Sequence, residues 1–475
     1  MAALWDAYPL GFLPYDPMAL PCFLPNLPQE IMYKICEEVV GPNEDTGSLA
    51  RLARTCRTLN QVATPLLYRE LKFDAQGHFD WETNHTRNLG TTLQALFTLQ
   101  GNQALGSAVR SMELGPTSST LWRINWHITF GMFQAYNATI RHLFDLDPTH
   151  NGSFPRPATT MALIFSAPNL TSLQLTTESG WQDTNFLLNK HNNRVTGPKF
   201  ILANLTTLNI NHSHLPWNRD AGTVLHKLNG LLHTVPNLTS LTINLARGGT
   251  SMTARLPNLT TLVLINTHLC ARGLHHLTRA CTQLVHFELT HDPESPHKRF
   301  LPVSPGQVLD CVVPSRHTLQ RLCIKTWMPE DNMANTLTQQ QFPLLERLGG
   351  FPALRLVGVD YRAVVRRQYE DGALVELLNG LESLQGVVLL GVEASGGLGG
   401  EVEMLKRGIG CAVWPRLRAV RVQSLGDGGF SEGIWTSLET LLGRMGWVAA
   451  PQRAERMEMV TAGVSFVAVP AWAVE

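Results

Sequence analysis

One seven-residue phrase, Asn-Leu-Thr-(Ser/Thr)-Leu-x-(Leu/Ile), starts at Asn169, Asn204, Asn237 and Asn258. A phrase that returns at intervals of tens of residues marks a repeat architecture. Reduced to apolar-x-x-apolar-x-apolar, it also fits Leu284/Phe287/Leu289 and Leu319/Leu322/Ile324. Weaker copies stand at Val109/Met112/Leu114, Leu384/Val387/Leu389 and Leu417/Val420/Val422, with one in poorer register at Ile140/Leu143. The last three positions alternate with period two, which suits a short strand with one buried face. No copy can bury that face alone, but stacked copies pair their strands sideways and merge their leucines into one core. Residues 224–233 and 273–280 are apolar at helical spacing and are expected as return helices. The expected fold class is an α/β solenoid.

This pattern resembles the leucine-rich repeat over about residues 105–425. The copies start from 21 residues apart (Leu238 to Leu259) to 35 (Leu170 to Leu205), against roughly 20 to 29 in regular arrays. The resemblance therefore implies an irregular horseshoe, with parallel strands on the concave face and helices or loops outside. On such strands the side chains flanking the inward leucines share the concave face. Asn209, Asn211, Thr242, Asn244, His286, Glu288, Arg321 and Lys325 are the expected contacts for a protein substrate. The face begins uncharged and ends basic, so an acidic stretch of the partner is expected near Arg321 and Lys325.

Charge says little about any global polyanion partner, since 38 Lys+Arg balance 38 Asp+Glu, and no nucleic acid is expected. The eight cysteines include no CxxC, and Cys270/Cys281 and Cys311/Cys323 lack zinc-knuckle spacing. Free thiols in a reducing compartment are expected. The apolar first residues have no basic start and are broken by Pro9, Pro14, Pro17 and Pro21, unlike a signal peptide. No apolar run approaches the roughly 20 residues that span a bilayer. A cytoplasmic or nuclear chain that engages no membrane is the expectation. Asn169, Asn204, Asn237 and Asn258 all satisfy the glycosylation rule Asn-x-Ser/Thr. Without a signal peptide, their expected role is to turn and hydrogen-bond the backbone at the entrance to each strand.

Residues 24–71 follow a different periodicity. Pro28 suits the first turn of a helix on which Ile31, Ile35 and Val39 make one apolar face. Gly41, Pro42 and Asn43 stop it. Ser48 can cap a second helix through Ala63, and Thr64-Pro65 breaks it before a short third one. Leu27-Pro28-x-Glu30-Ile31, Ile35, Leu49, Leu52, Cys56-Arg57, Leu59, Ala63 and Leu67-Tyr68 match the F-box pattern in order and spacing. The segment thus resembles the F-box of the type abundant in filamentous fungi. That resemblance implies docking onto a Skp adaptor and through it a cullin-RING ubiquitin ligase, with Leu27, Pro28, Ile31, Ile35, Leu49 and Leu52 as adaptor contacts. Each of these could equally be core of a helical cap closing the open end of the solenoid.

Chemistry is not in evidence. The glycines at 396–400 and 426–429 lack the lysine and spacing of a phosphate loop. His212/His214 and His275/His276 have no carboxylate or cysteine at a fixed local offset, so no metal site and no cofactor are expected. The expected organisation is a flexible tail (1–23), the F-box module (24–71), linker or cap helices (72–104), the repeats (105–425) and a C-terminal cap (426–475). Residues 361–371 are a helix face or inserted loop, 433–447 an amphipathic helix and 464–472 a strand. The leading expectation is a non-catalytic substrate-recognition subunit of a Skp-cullin-F-box ligase, serving ubiquitin-dependent degradation of a protein substrate. The alternative is a leucine-rich repeat scaffold that uses its F-box only to bind the adaptor.

Overall fold

The computed structural model describes residues 27–40, 46–73, 94–115, 138–140, 143–144, 158–177, 184–191, 194–198, 200–212, 223–248, 252–290, 303–325, 348–360, 386–392, 419–424, 447–453 and 464–470. The expectations at 1–23, His214, 361–371, 396–400, 426–429 and 433–446 lie outside them. The chain divides into two compact units, Met1–Leu215 with Lys227–Leu238, and Pro216–His226 with Thr239–Glu475.

The first unit opens with three helices, α1 (Gln29–Val40), α2 (Thr46–Ala53) and α3 (Arg57–Leu67). Their shared core is Met32, Cys36, Leu49, Ala53, Leu59, Val62 and Ala63. The expected single helix from Ser48 to Ala63 is in fact two. The chain leaves α2 at Arg54-Thr55, and Cys56 restarts it as an extended N-cap whose Sγ accepts from the Leu59 amide. Asn60 Nδ2 donates to the Ala53 carbonyl (2.9 Å) and holds the corner together. The step of four from Leu52 to Cys56 ran straight across that corner and hid it. Pro65 does not start a third helix either, because α3 continues through it to Leu67.

After Tyr68-Arg69 the chain enters strand β1 (Glu70–Phe73), which pairs in parallel with β2 (Ser111–Leu114). The sheet thus begins well ahead of residue 105. Between the two strands, residues 94–101 are helical, followed by α4 (Gln103–Ala108). β2 then pairs with β3 (Ser172–Thr177), preceded by α5 (Ala158–Phe165). Residues 138–140 and 143–144 are helical, so Ile140 is buried helix and not a strand copy. A hairpin of β4 (Leu188–His191) and β5 (Arg194–Pro198) precedes β6 (Thr207–His212), the fourth parallel strand. The expected return helix at 224–233 is a 3-10 turn, Leu225–Leu228, followed by α6 (Asn229–His233). Thr184 Oγ1 anchors it, donating to the Lys227 carbonyl and accepting from the Leu231 amide.

The repeated phrase acquires a physical meaning in these strands. Leu170, Leu173, Leu205, Leu208 and Ile210 are fully buried, a contribution of about 1.5–3 kcal/mol each. The asparagines reach back one repeat. Asn169 Nδ2 donates to the Ser107 carbonyl (2.9 Å) and Asn237 Nδ2 to that of Ala203 (2.8 Å), while Asn204 Nδ2 donates to the Asn169 Oδ1 (3.2 Å). Thr171 and Thr206 hydroxyls donate to the Arg110 and Thr171 carbonyls. Satisfying backbone groups at the strand entrance is the role expected of both residue types.

In the second unit, β7 (Thr223–Val224), β9 (Ala246–Gly248) and β11 (His268–Leu269) make a small parallel sheet. The main sheet there runs β8 (Ser240–Asn244), β10 (Thr261–Ile265), β12 (His286–Thr290), β13 (Arg321–Lys325), β14 (Leu356–Asp360), β15 (Gly386–Val392) and β16 (Ala419–Ser424), all parallel. It ends in two antiparallel strands, β18 (Val464–Pro470) against β16 and β17 (Trp447–Arg453) against β18. The strand expected at 464–472 is present, and Trp447 opens β17 where the end of a helix was expected. α7 (Ala271–Arg279) follows β11 as expected, and α8 (Pro305–Val312) carries a Ser304/Gln307 capping box. Leu245 and Asn266, each directly after its strand, adopt φ of 57° and 52°. This left-handed step turns the chain from the main sheet into the small one, at a cost of about 1–2 kcal/mol for the leucine.

Gly106 in α4 lies against the Ser166 carbonyl, where a Cβ has no room, whereas Gly101 faces open space. Gly106→Ala is expected to destabilise the chain by about 1–3 kcal/mol, and Gly101→Ala to be neutral or stabilising by up to about 1 kcal/mol. Paired urea melts check the contrast; equal midpoints for the two variants contradict it.

Candidate functional site

Two surfaces stand out, a stripe on helix α1 and the half-exposed sides of the strands in each unit. On α1 the core side is Met32 and Cys36, one turn apart and at most 4% exposed. The neighbouring series Ile31, Ile35 and Val39 follows the same spacing on an adjacent stripe. Ile31 remains 43% exposed and Tyr33 38%, with Ile35 and Val39 half-buried. The Pro28 carbonyl accepts from the amides of Ile31 (3.0 Å) and Met32 (3.1 Å), so the exposed proline initiates the helix that carries this stripe. Leu27 and Leu52 pack partly on the helical core and keep some surface. Leu49 is 0% exposed and belongs to that core, the cap-core role that was its alternative.

The module is tied to the strands that follow it. The Arg69 carbonyl, two residues past α3, accepts from the amides of both Arg110 (2.8 Å) and Ser111 (3.1 Å). Its guanidinium reaches Glu37 of α1 at 2.9 Å.

The second surface is the half-exposed side of the strands. In the first unit Gln174 pairs in register with Asn209, and Thr176 with Asn211. In the second unit the register sets Thr242, Val263, Glu288 and Cys323 in one row. His286 faces Arg321 and Thr290 faces Lys325. The structure therefore gathers Thr242, Asn244, His286, Glu288, Arg321 and Lys325 on one sheet of the second unit, while Asn209 and Asn211 belong to the first. Among the described residues no donor reaches the buried Oδ1 of Asn244.

The nearest approach of His286 to Glu288 is 3.8 Å, with the two side chains 30% and 33% exposed. Burial holds the His286 pKa below 6.5, Arg321 lowers it further, and Glu288 partly offsets both. The Cys323 thiol is pushed up to about 12 by burial, assisted by Glu288 and opposed by Lys325. Cys281 and Cys311 are likewise raised to about 12 and about 11, chiefly by burial. Such thiols are protonated at neutral pH and are poor nucleophiles. Among the described residues no group of three or more His, Cys, Asp or Glu is placed to hold a metal ion, and no helix is long and apolar enough to cross a membrane.

Comparison with known families finds a match over the helical module. Residues 24–74 match the F-box-like family, and the matched segment ends just beyond β1. No curated protein matches the chain. An F-box-like domain implies binding of a Skp-like adaptor in a cullin ligase, and proteins that carry one are generally non-catalytic substrate adaptors. Sequence reasoning missed three members of the sheet, β1, β14 and β17. Tyr68/Leu71/Phe73 and Leu354/Val357/Val359 both fit apolar-x-x-apolar-x-apolar, so a uniform search for the skeleton finds β1 and β14.

Because the folded chain disfavours protonation of His286, the unfolded chain takes up that proton first as pH falls through 6.5. Stability is therefore lost on the acid side of 6.5 and unaffected by this group above it. Imidazole NMR titration is expected to give a His286 midpoint below 6.5, lowered further by Glu288→Gln and raised by Arg321→Gln. A midpoint at or above 6.5 in the unmodified chain contradicts the assignment.

Proposed function

We propose that this chain is a substrate-recognition subunit of a Skp-cullin-F-box ubiquitin ligase, joining the adaptor through the F-box-like helices and a protein substrate through its strands. The observation that carries this reading is the Ile31/Ile35/Val39 stripe on the matched domain, exposed at Ile31 and half-buried at Ile35 and Val39. A helical module of about fifty residues buries little of its own surface and gains by lending apolar side chains to a partner. Ile31, Ile35, Leu27, Pro28 and Leu52 are the contacts. Leu49 acts from beneath, by fixing the packing of the helices.

Two features support substrate capture by the strands. Short parallel strands set one residue of each repeat beside the next, at about 4.8 Å spacing, which makes a graded surface. The cations Arg321 and Lys325 supply polar recognition, and an acidic stretch of substrate fits the pair. Such a subunit needs no catalytic side chain; it contributes proximity, holding a substrate lysine near a ubiquitin-loaded enzyme on another subunit.

Expression of the tagged full chain tests both halves. Adaptor and cullin are expected to co-purify with it, and both to be lost with Ile31→Asp/Ile35→Asp while its melting temperature stays unchanged. Adaptor without cullin supports the scaffold reading instead. Absence of the adaptor, or its retention by the double variant, defeats the F-box assignment. Arg321→Glu/Lys325→Glu is expected to abolish substrate capture with adaptor binding intact; unchanged capture removes the substrate role of that face.

A further inference from the structure

From Ala221 to Phe287 the chain contains no Asp or Glu, although it has 38 of them overall. The same stretch carries Lys227, Arg247, Arg255, Arg272 and Arg279 together with six histidines. A neutral protein with a long acid-free segment is locally basic, and helix α7 shows where that charge goes. Gly273, Leu274, Leu277 and Thr278 are its buried side. Arg272, His275 and Arg279 are exposed and His276 half-exposed, so the outward stripe is entirely cationic or imidazole. The two arginines stand seven residues apart, about 10 Å along the helix axis.

Neighbouring repeats of the same unit extend the stripe. The Leu256 amide donates to the Ala280 carbonyl (2.9 Å), which brings exposed Arg255 beside the end of α7. On the other side Ser315 Oγ donates to the Cys281 carbonyl (2.9 Å), which brings exposed Arg316, hydrogen-bonded through Nε to His317. The helix packed against α7 contributes one exposed carboxylate, Asp310, against four arginines. Val313 at the end of α8, 43% exposed, adds one apolar contact.

We propose that the outer face of α7, with Arg255 and Arg316, is a second docking surface, and that its occupant is a carboxylate-rich segment of a partner protein. Charge complementarity sets the sign of the partner, and the planar fork of arginine suits carboxylates in pairs. Nucleic acid fits less well. The footprint offers four arginines where specific DNA binding neutralises about six to ten phosphates, and apart from its histidines its exposed described residues include no Phe, Tyr or Trp ring for base stacking. This surface lies on helices, apart from the strand face assigned to substrate, and stands or falls independently of adaptor binding.

Fluorescence anisotropy of the full chain with a labelled twelve-residue Glu/Asp peptide tests it. Saturable binding that weakens with added salt is expected, with the Gln/Asn version of the peptide failing to bind. Arg272→Glu/Arg279→Glu is expected to weaken binding at least about tenfold, since reversing exposed charges doubles each lost pairing, while Arg51→Glu on α2 changes nothing. If the double reversal melts early, Arg272→Gln/Arg279→Gln replaces it and must still cost about threefold. No binding by the unmodified chain, equal binding of the neutral peptide, unchanged affinity in the folded variant, or tighter binding of a single-stranded oligonucleotide overturns the proposal. Co-purification of the adaptor with the variant shows that the receptor reading survives such a failure.

Discussion

A single carbonyl per repeat, accepting two amides from the next, is the interaction on which the strand order rests. Arg69 O takes Arg110 and Ser111, Arg110 O takes Thr171 and Ser172, and Thr171 O takes Thr206 and Thr207. In the second unit Thr239, Thr260, Val285 and Gln320 do the same for the repeats that follow them. Each of these main-sheet strands has only four to seven residues and is marginal by itself. The forked bond fixes where the next strand begins, and so fixes which residues turn inward. Everything else follows from that register: the leucine columns, the asparagine and threonine side chains that cap the entrances, and the rows of polar groups on the opposite side.

The two sides of the strands answer to different physics. Inward positions must be apolar and close-packed, because a lost methylene leaves a void. The outward positions are released from that demand and can drift in character from hydroxyl and amide groups in one unit to His286, Glu288, Arg321 and Lys325 in the other. Gly358 shows a local limit on this freedom: a Cβ there stands 3.0 Å from Cys323 Sγ, so the thiol occupies space the glycine leaves. The helices have a similar division, with Met32 and Cys36 inside and Ile31 outside.

How far the sequence could be read depended on whether a feature has a period. The strands from Val109 to Val422 were legible because three apolar residues at fixed spacing recur. The F-box-like segment was legible because Leu27-Pro28, Cys56 and Tyr68 coincide in order. On α1, however, Ile31/Ile35 and Met32/Cys36 have identical spacing, and only packing decides which pair turns inward. Leu49 and Leu52 differ by less than a helical turn, yet one is enclosed and the other half-open. The two- and three-residue strands of the small sheet are too short to carry any alternation, and nothing in Leu245 announces a left-handed backbone. The corner at Arg54-Thr55 contains neither glycine nor proline, so composition could not reveal it.

The shared strand β1 has a consequence for how such a chain can be cut and recombined. Its residues lie inside the stretch that matches the F-box-like family, yet their hydrogen bonds belong to the sheet. A cut after Phe73 leaves Ser111–Leu114 with a bare edge on one piece and an orphaned strand on the other. Exposed strand edges recruit whatever backbone they meet. Exchanging the helical module along the boundary of the family match therefore requires an incoming piece with a matching first strand, which couples the two parts.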